Sequence, residues 1–193
     1  MAESGDLENW GEMTSMLDPK QRLSHTERLL EEHQASVFRY AFRLCGCAAA
    51  AEDIAQEVFL SAFRNVHQLR SPEASRGWLM AIARNEFIRW GRKSAAAGVV
   101  VDPQLSQALE QDETLEPTID RQEWVERALQ QLPEDYRIVL LMYYFEELSY
   151  AQIAEQLKIP MGTVMSRLSR GKAHMKSTLD QIDTPTPKHP SAR

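Results

Sequence analysis

The sequence lacks the features of a membrane or secreted protein. None of its apolar runs is long enough to span a bilayer. The N-terminus is acidic and does not have the basic-then-apolar order of a secretion signal. The two cysteines, Cys45 and Cys47, are too few for a disulfide framework and too close together for a comfortable bridge. These absences predict a cytoplasmic protein with no membrane insertion.

Catalytic signatures are also missing. The five histidines are scattered, and no glycine-rich phosphate loop or pair of carboxylates suited to acid–base chemistry is present. The Cys45–Cys47 pair lacks the further ligands of a metal site, with His33 the nearest candidate, so we interpret both cysteines as structural. We therefore expect a protein that is not an enzyme and that uses no metal or cofactor.

Strand patterns are almost absent, apart from residues 99–101, and apolar residues recur instead at helical spacing. The predicted fold is all-α, with two small helical domains joined by a flexible acidic linker. The predicted segments are a mobile N-terminal extension (1–23), a first domain (24–93), the linker (94–120), a second domain (121–179) and a disordered tail (180–193).

Capping signals and apolar stripes give the predicted helices. Ser24 with Glu27 has the spacing of a capping box, so the first helix is expected to begin there and to end near Gly46. Its predicted inner stripe is Leu30, Val37, Ala41 and Leu44. Further helices are expected over about 49–66, 76–93 and 121–132, followed by a buried helix that Pro133 opens.

The total net charge of −6 by itself argues against a nucleic-acid partner. The charge is unevenly spread, however. Residues 64–93 carry seven basic and two acidic side chains, and residues 136–179 carry six and three, whereas residues 94–135 carry two and ten. Local fields steer ligands more than totals do, so two basic blocks suggest two DNA contacts on one chain.

The most informative stretch is Ser149 to Lys176. Ser149 and Gln152 form a second capping-box signature, and Pro160 ends one short helix and opens the next. Val164 and Leu168 are expected to face the core, so the outer side of the second helix is basic. This layout is typical of a DNA-reading helix-turn-helix. A helical hairpin buried in a bundle, with its basic residues merely solvated, is the alternative.

Three motifs together resemble a known family. They are AEDIAQEVFLSAF (Ala51–Phe63), GWLMAIARNEFIRWGRK (Gly77–Lys93) and the segment Leu129–Lys176. Their order and spacing are similar to those of bacterial RNA polymerase sigma factors of the sigma-70 family. The short two-domain layout resembles the extracytoplasmic-function group. This resemblance implies a protein that binds core RNA polymerase and directs it to promoters with −35 and −10 elements.

The resemblance implies partners and residues for the first domain. The polymerase would be contacted through its largest-subunit clamp helices and its flap, and the clamp helices would meet Asp53, Gln56 and Glu57. An acidic, amide-bearing stripe suits a basic partner helix, although from the residues alone a solvated helix face is the simpler interpretation. Phe59 is assigned to packing. An anti-sigma factor is a further implied partner.

The loop from His67 to Ser75 and the helix after it are expected to handle the melted −10 element of promoter DNA. Capturing an unstacked base must offset an unpairing cost of about a few kcal/mol. Trp78 and Trp90 are assigned to the core rather than to base stacking. The candidate −10 contacts are Gln68, Arg70, Ser71, Ser75, Arg76, Arg84, Asn85 and Arg89.

The helix-turn-helix is expected to read the −35 element as duplex. Arg170 is the first candidate for a base contact, by bidentate bonding to guanine, with Ser166 and Ser169 beside it. Arg167 and Lys172 are expected to clamp phosphates, and the backbone at Gly162 and Thr163 to hold another phosphate at the helix start. Lys158 stands where relatives often have glycine.

Two other functions stay open on the sequence alone. A stand-alone helix-turn-helix regulator would bind a palindromic operator as a dimer without polymerase. A helical protein-interaction module would have no DNA role, and Arg170→Ala would then change nothing.

Overall fold

The computed structural model describes residues 18–69, 71–96 and 121–183. All regular structure in these ranges is helical, which confirms the predicted all-α class. The chain forms two compact units, as expected. The first contains the described residues up to 96 together with Phe145–Glu147, and the second contains the other described residues from 121 to 183. Most of the predicted linker and tail lie outside the described residues.

Within the described residues, three α-helices build the first unit and four build the second. The first unit has α1 (Pro19–Cys45), α2 (Ala48–Asn65) and α3 (Ser75–Ala96), each packed against the other two. The second unit has α4 (Arg121–Gln130), α5 (Glu134–Tyr144), α6 (Tyr150–Leu157) and α7 (Met161–Asp183), and α7 packs against the other three. No helix of the described part of the chain is long and apolar enough to cross a membrane.

Helix α1 begins earlier than the sequence predicted. Its N-cap is Asp18, whose carboxylate accepts from the Gln21 backbone N–H at 2.8 Å, while the Gln21 side chain accepts from the Asp18 N–H at 3.0 Å. Pro19 occupies the first helical position, where its missing N–H costs nothing. Ser24 therefore lies inside the helix, and the prediction of a start there was wrong because two capping boxes compete within six residues.

The inner stripe of α1 was predicted one residue out of place at its beginning. Leu29 is buried, whereas Leu30 is 39% exposed. Val37, Ala41 and Leu44 are buried as expected. The adjacent leucines fit the periodicity almost equally well, and the packing of α2 and α3 decides between them. The helix ends as expected at Gly46, whose positive φ of 72° suits glycine.

Two short 3₁₀ turns connect α2 to α3, in the segment that the sequence assigned to a loop. They span Val66–Gln68 and Pro72–Ala74. Val66 and Leu69 are buried and fasten this connection to the core of the first unit, while the polar side chains between them face outward. The connection is therefore held in place at its start and at its middle.

Helix α5 is largely buried in the second unit, as its apolar run predicted. Ile138, Val139, Leu140, Leu141 and Met142 are all buried. Helix α7 approaches it closely at Gly171, where an added Cβ would lie 2.9 Å from a Leu140 methyl carbon. This close approach fixes the orientation of α7 on α5, and with it the side of α7 that is left exposed.

Candidate functional site

An open apolar groove of about 880 Å³ runs between α1 and α2. Leu23, Leu30 and Leu60 are 51%, 39% and 49% exposed along it, which is unusual for large apolar side chains in a small unit. Phe59 is half-buried on the groove wall, so it contributes to both the core and the exposed surface. The groove is lined by Leu23, Thr26, Leu30, Gln34, Ala35, Phe38, Glu52, Ala55, Gln56, Phe59, Leu60 and Phe63.

The three predicted polymerase contacts are all exposed on α2, and their i, i+3 and i+4 spacing puts them at neighbouring positions of one helix face. Gln56 lines the apolar groove. Asp53 and Glu57 lie around the helix on the side of α3, where they line a smaller cavity with Arg89 and Lys93. The acidic pair is thus partly balanced by basic side chains, and the surface that Gln56 shares is more apolar than the sequence suggested.

The connection between α2 and α3 carries the candidate −10 contacts. Gln68 and Arg76 are exposed and Ser71 is half-buried, while Arg70 lies outside the described residues. Glu73 adds an acidic side chain. Hydrogen bonds from its own backbone N–H, and then from the Ser71 side chain, lower the pKa of its carboxyl below the ordinary value.

Ser75 is placed differently from a DNA contact. It is 5% exposed, and its Oγ lies 2.9 Å from His33 Nε2 on α1. This contact holds the first residue of α3 against α1. In this arrangement Ser75 positions the connection, whereas Asn85, nearly three turns further along α3, is exposed.

Arg84 is buried rather than exposed. Its guanidinium Nη1 forms an ion pair with Glu146 Oε2, and the two side chains are only 5% and 2% exposed. Tyr40 Oη donates to the other carboxylate oxygen of Glu146 at 2.6 Å. Burial first, and the charge of Glu146 second, raise the pKa of Tyr40 well above its ordinary value, so the phenol stays protonated. All three groups belong to the first unit.

Arg89 remains available on the surface. Its side chain is 63% exposed and pairs with Glu86 Oε2 at 3.1 Å, one turn earlier on α3. The Glu86 side chain is only 8% exposed, so a phosphate would have to share the Arg89 guanidinium with this carboxylate, because leaving a buried carboxylate unpaired is costly. Trp90 is half-buried and stacks on Phe87 with ring centroids 6.3 Å apart, in keeping with the core role assigned to it.

The helix-turn-helix forms as its sequence predicted. Ser149 Oγ accepts from the Gln152 backbone N–H at 3.3 Å, and the Gln152 side chain accepts from the Ser149 N–H at 2.9 Å. Lys158 ends α6 in the left-handed region at φ 55°, and its N–H donates to carbonyls of α6. Lysine thus adopts the conformation for which glycine is preferred, at a steric cost of roughly 1–2 kcal/mol.

The outer face of α7 (Ser166, Ser169 and Arg170) lies opposite the buried Val164, Leu168 and Gly171. All three of its side chains are exposed, with Lys172 exposed on one flank. Ser166 Oγ donates to the Thr163 carbonyl at 3.0 Å, which leaves its lone pairs toward solvent. Gly162 is exposed and Thr163 half-exposed in the first turn of α7.

Arg167 does not lie on that outer face. Its Nη2 donates to Asp135 Oδ2 of α5 at 2.6 Å, and its side chain is only 24% exposed. Two exposed residues beside the outer face were not among the candidates. Met161 and Met165 are 53% and 50% exposed, and a helical-wheel count from Val164 would have found Met165.

The cysteines do not form a ligand cluster in the described ranges. Cys45 is buried, and its thiol donates to the Cys47 carbonyl at 3.3 Å. Within residues 18–69, 71–96 and 121–183, no three His, Cys, Asp or Glu side chains meet in a way that would hold a metal ion.

Comparison with known families matches both units. The chain matches the family described as Sigma-70 region 2 over residues 29–97 and the family described as Sigma-70, region 4 over residues 122–175. The two matches fall on the first and second units respectively. They contain most of the groove, the α2–α3 connection and the outer face of α7.

Individual relatives agree with these families. The ECF RNA polymerase sigma factor SigL of Mycobacterium tuberculosis is 36% identical over 157 residues, which cover 80% of this chain and 88% of the relative. The RNA polymerase sigma-H factor of Pseudomonas aeruginosa is 32% identical over 165 residues, covering 80% and 86%. A solved structure of the sigma factor RpoE with the anti-sigma factor NepR from Bartonella quintana has a similar fold, with a TM-score of 0.58, 23% identity and coverage of 82% and 98%.

Proposed function

Because the chain belongs to the extracytoplasmic-function sigma factors of the sigma-70 family, we propose specific roles for its three exposed surfaces. As a sigma factor, it binds core RNA polymerase and directs promoter-specific transcription initiation. The polymerase performs nucleotide transfer, so we assign no catalytic residue to this chain. The observation that carries the residue assignments is the outer face of α7, where two hydroxyls and a cation are exposed on a helix whose other side is buried.

The groove between α1 and α2 is proposed to receive the clamp helices of the polymerase. Exposed Leu60 and half-buried Phe59 supply apolar area, and Gln56 supplies hydrogen bonds at the edge. Asp53 and Glu57 lie on the neighbouring side of α2, where they add negative charge toward a basic helix. Phe59 thereby gains a docking role that its assignment to packing did not include.

The α2–α3 connection is proposed to bind the melted −10 strand. Gln68, Arg76 and Asn85 are the exposed groups of this surface, and Arg89 is available to hold a phosphate. Ser75 is proposed to act through position rather than contact, because it is buried against His33. Ser71 and Arg70 remain predicted contacts.

The outer face of α7 is proposed to read the −35 element in the major groove. Arg170 is exposed and long enough for bidentate bonding to a guanine, and Ser166 and Ser169 lie on the same face. Lys172 and the backbone at Gly162 and Thr163 are proposed to hold phosphates. Arg167 is proposed as a flanking phosphate contact that must share its charge with Asp135.

An anti-sigma protein is proposed as the regulator of this chain. The fold resembles that of a sigma factor solved with such a partner, and an apolar groove in the first unit would be a liability if it stayed uncovered. We propose that the anti-sigma protein covers the groove and so competes with the polymerase. The free protein is expected to show no specific promoter binding at physiological salt.

Run-off transcription tests the function directly. Purified core polymerase and the chain are incubated with a library of promoter sequences, and the transcripts are sequenced. We expect initiation from a subset that shares two elements, and no initiation when either component is omitted. If the folded chain supports no initiation with any promoter, the proposed function is wrong. Tight, palindromic binding without polymerase would instead indicate a stand-alone regulator.

A further inference from the structure

The segment Phe145–Glu147 packs as part of the first unit although it lies between α5 and α6 in the chain. Its central residue, Glu146, has a side chain only 2% exposed. Both carboxylate oxygens have partners in the first unit, Arg84 on one side and the Tyr40 hydroxyl on the other. A carboxylate this deeply buried is stable only because it is paired and hydrogen-bonded.

The aromatic residue of the segment is anchored as well. The Arg43 guanidinium lies 4.7 Å from the centroid of the Phe145 ring, within the range of a cation–π interaction. The Tyr40 ring centroid is 6.3 Å from the same ring, in a tilted arrangement. The Phe145 ring thus interacts with Arg43 and Tyr40, and the Glu146 carboxylate interacts with Arg84 and Tyr40. The aromatic ring and the anion of the segment are each bound by one guanidinium and by Tyr40.

The segment also borders the surface proposed for the −10 strand. With Gln68, Arg76 and Trp78 it lines a cavity of about 510 Å³ at the α2–α3 connection. Glu146 and Glu147 put two acidic side chains on one wall of this cavity. A flipped-out nucleotide has the same two chemical parts, a flat aromatic base and an anionic phosphate.

We propose that Phe145–Glu147 is an internal plug that occupies the −10 binding surface of the free protein. The plug neutralises Arg84 and crowds the cavity, and it must leave before the melted strand can bind. This inference rests on the role proposed above for the α2–α3 connection. It also gives Arg84 a place in that role, because a phosphate can replace the Glu146 carboxylate on its guanidinium.

The variant Glu146→Gln tests the plug. It keeps the size of the side chain but removes the negative charge that pairs with Arg84, which weakens the attachment of the segment and favours its release. The full chain is titrated with a labelled single-stranded DNA of mixed sequence at about 0.15 M salt, where exposed charges are screened. Glu146→Gln is expected to bind this DNA about tenfold more tightly than the parent does. A tenfold change in affinity corresponds to the loss of one charge-assisted hydrogen bond of ordinary strength.

A matched control separates the plug from net charge. Glu31 is exposed on α1 and lies outside the cavity, so Glu31→Gln removes the same charge elsewhere in the first unit. Its affinity is expected to stay within about twofold of the parent, since one exposed charge is largely screened. Equal tightening in both variants, or none in a folded Glu146→Gln protein, would overturn the proposal.

Hydrogen exchange of the unaltered chain provides a second measurement that does not depend on the variant folding. Backbone amides of Phe145–Glu147 are expected to exchange faster when the same single-stranded DNA is added at saturating concentration. Unchanged or slower exchange would show that DNA binds with the segment in place, and the plug would be refuted. Run-off transcription by the parent chain with core polymerase tests the proposed function separately, so failure of one does not imply failure of the other.

Discussion

Arg167 and Asp135 are joined by a hydrogen-bonded ion pair between α7 and α5, with 2.6 Å between Nη2 and Oδ2. Asp135 is 63% exposed and Arg167 is 24% exposed, so the pair lies at the surface of the second unit. Its contribution to stability is therefore at most about 1 kcal/mol. The larger consequence is electrostatic, because a cation proposed to meet DNA is already half-neutralised.

Asp135→Asn is expected to strengthen promoter binding. With the carboxylate removed, Arg167 has its full charge available for a phosphate, and the slope of log affinity against log salt should steepen by roughly 0.9. The measurement is binding of polymerase holoenzyme to a −35 duplex over a range of salt concentrations. Glu134→Gln, a charge removal at the exposed neighbouring residue, is the control. Weaker binding by Asp135→Asn would mean that the carboxylate orients Arg167 instead of competing for it.

Arg170→Ala is expected to change both affinity and specificity. Loss of a bidentate contact to guanine costs about 1–3 kcal/mol and relaxes the preference at one −35 position. Lys172→Ala is the comparison, because a phosphate contact should weaken all promoters about equally. The measurement is run-off transcription from promoters with each −35 base changed in turn. A uniform loss in Arg170→Ala would move Arg170 to the phosphate contacts.

Lys158→Gly is expected to stabilise the second unit. Lys158 is exposed and adopts a left-handed backbone conformation at φ 55°, where a Cβ costs roughly 1–2 kcal/mol. Glycine removes this strain, but it also raises the conformational entropy of the unfolded chain, which offsets part of the gain. We expect a net gain of about 0.5–1 kcal/mol in the free energy of unfolding, measured with urea. Lys176→Gly, in the middle of α7, should instead lose about 1 kcal/mol. A loss at both positions would contradict the strain at Lys158.

Local signals predicted the helices better than they predicted their first residues. Both capping boxes that form, at Asp18 and at Ser149, satisfy backbone N–H groups within three residues, so they depend on nothing distant. The Ser24 signature is equally local and fails because Asp18 and Pro19 start the helix first. The choice between Leu29 and Leu30 needed the positions of α2 and α3, which no local pattern contains.

Distant partners explain what the sequence missed among the candidate contacts. Arg84 and Ser75 have side chains that suit DNA, but they are buried by Glu146 and His33, which lie 62 and 42 residues away. Charge and polarity alone could not reveal that these groups are already paired. Gln68, Asn85 and Arg170 are exposed, and for Arg170 the helical spacing from Val164 and Leu168 was enough to place it on the surface.

High pH is expected to destabilise the first unit through Tyr40. Its pKa is raised in the folded protein, so above its ordinary value near 10 the unfolded chain binds fewer protons than the folded one. The stabilisation is fully present below that pH and is lost as pH rises toward the folded pKa. When the pH is raised from below about 10 to above it, the thermal unfolding midpoint should fall more in the parent than in Tyr40→Phe. Equal falls would show that other groups cause the alkaline loss.

Leu60→Gln is expected to weaken polymerase binding with little effect on folding. Leu60 is 49% exposed in the groove, so its burial remains incomplete until a partner covers it. Full burial of a leucine side chain contributes about 1.5–3 kcal/mol, and half of that corresponds to a loss of about three- to twelvefold in affinity for core polymerase. Val125→Gln is the control, because Val125 is a comparably exposed apolar residue on α4, at 38%. Binding is measured by titrating labelled core polymerase with each variant, and thermal melting confirms that each is folded. A folded Leu60→Gln protein that binds as the parent does would exclude the groove as the docking surface, and Asp53 and Glu57 on the neighbouring side of α2 would be tested next.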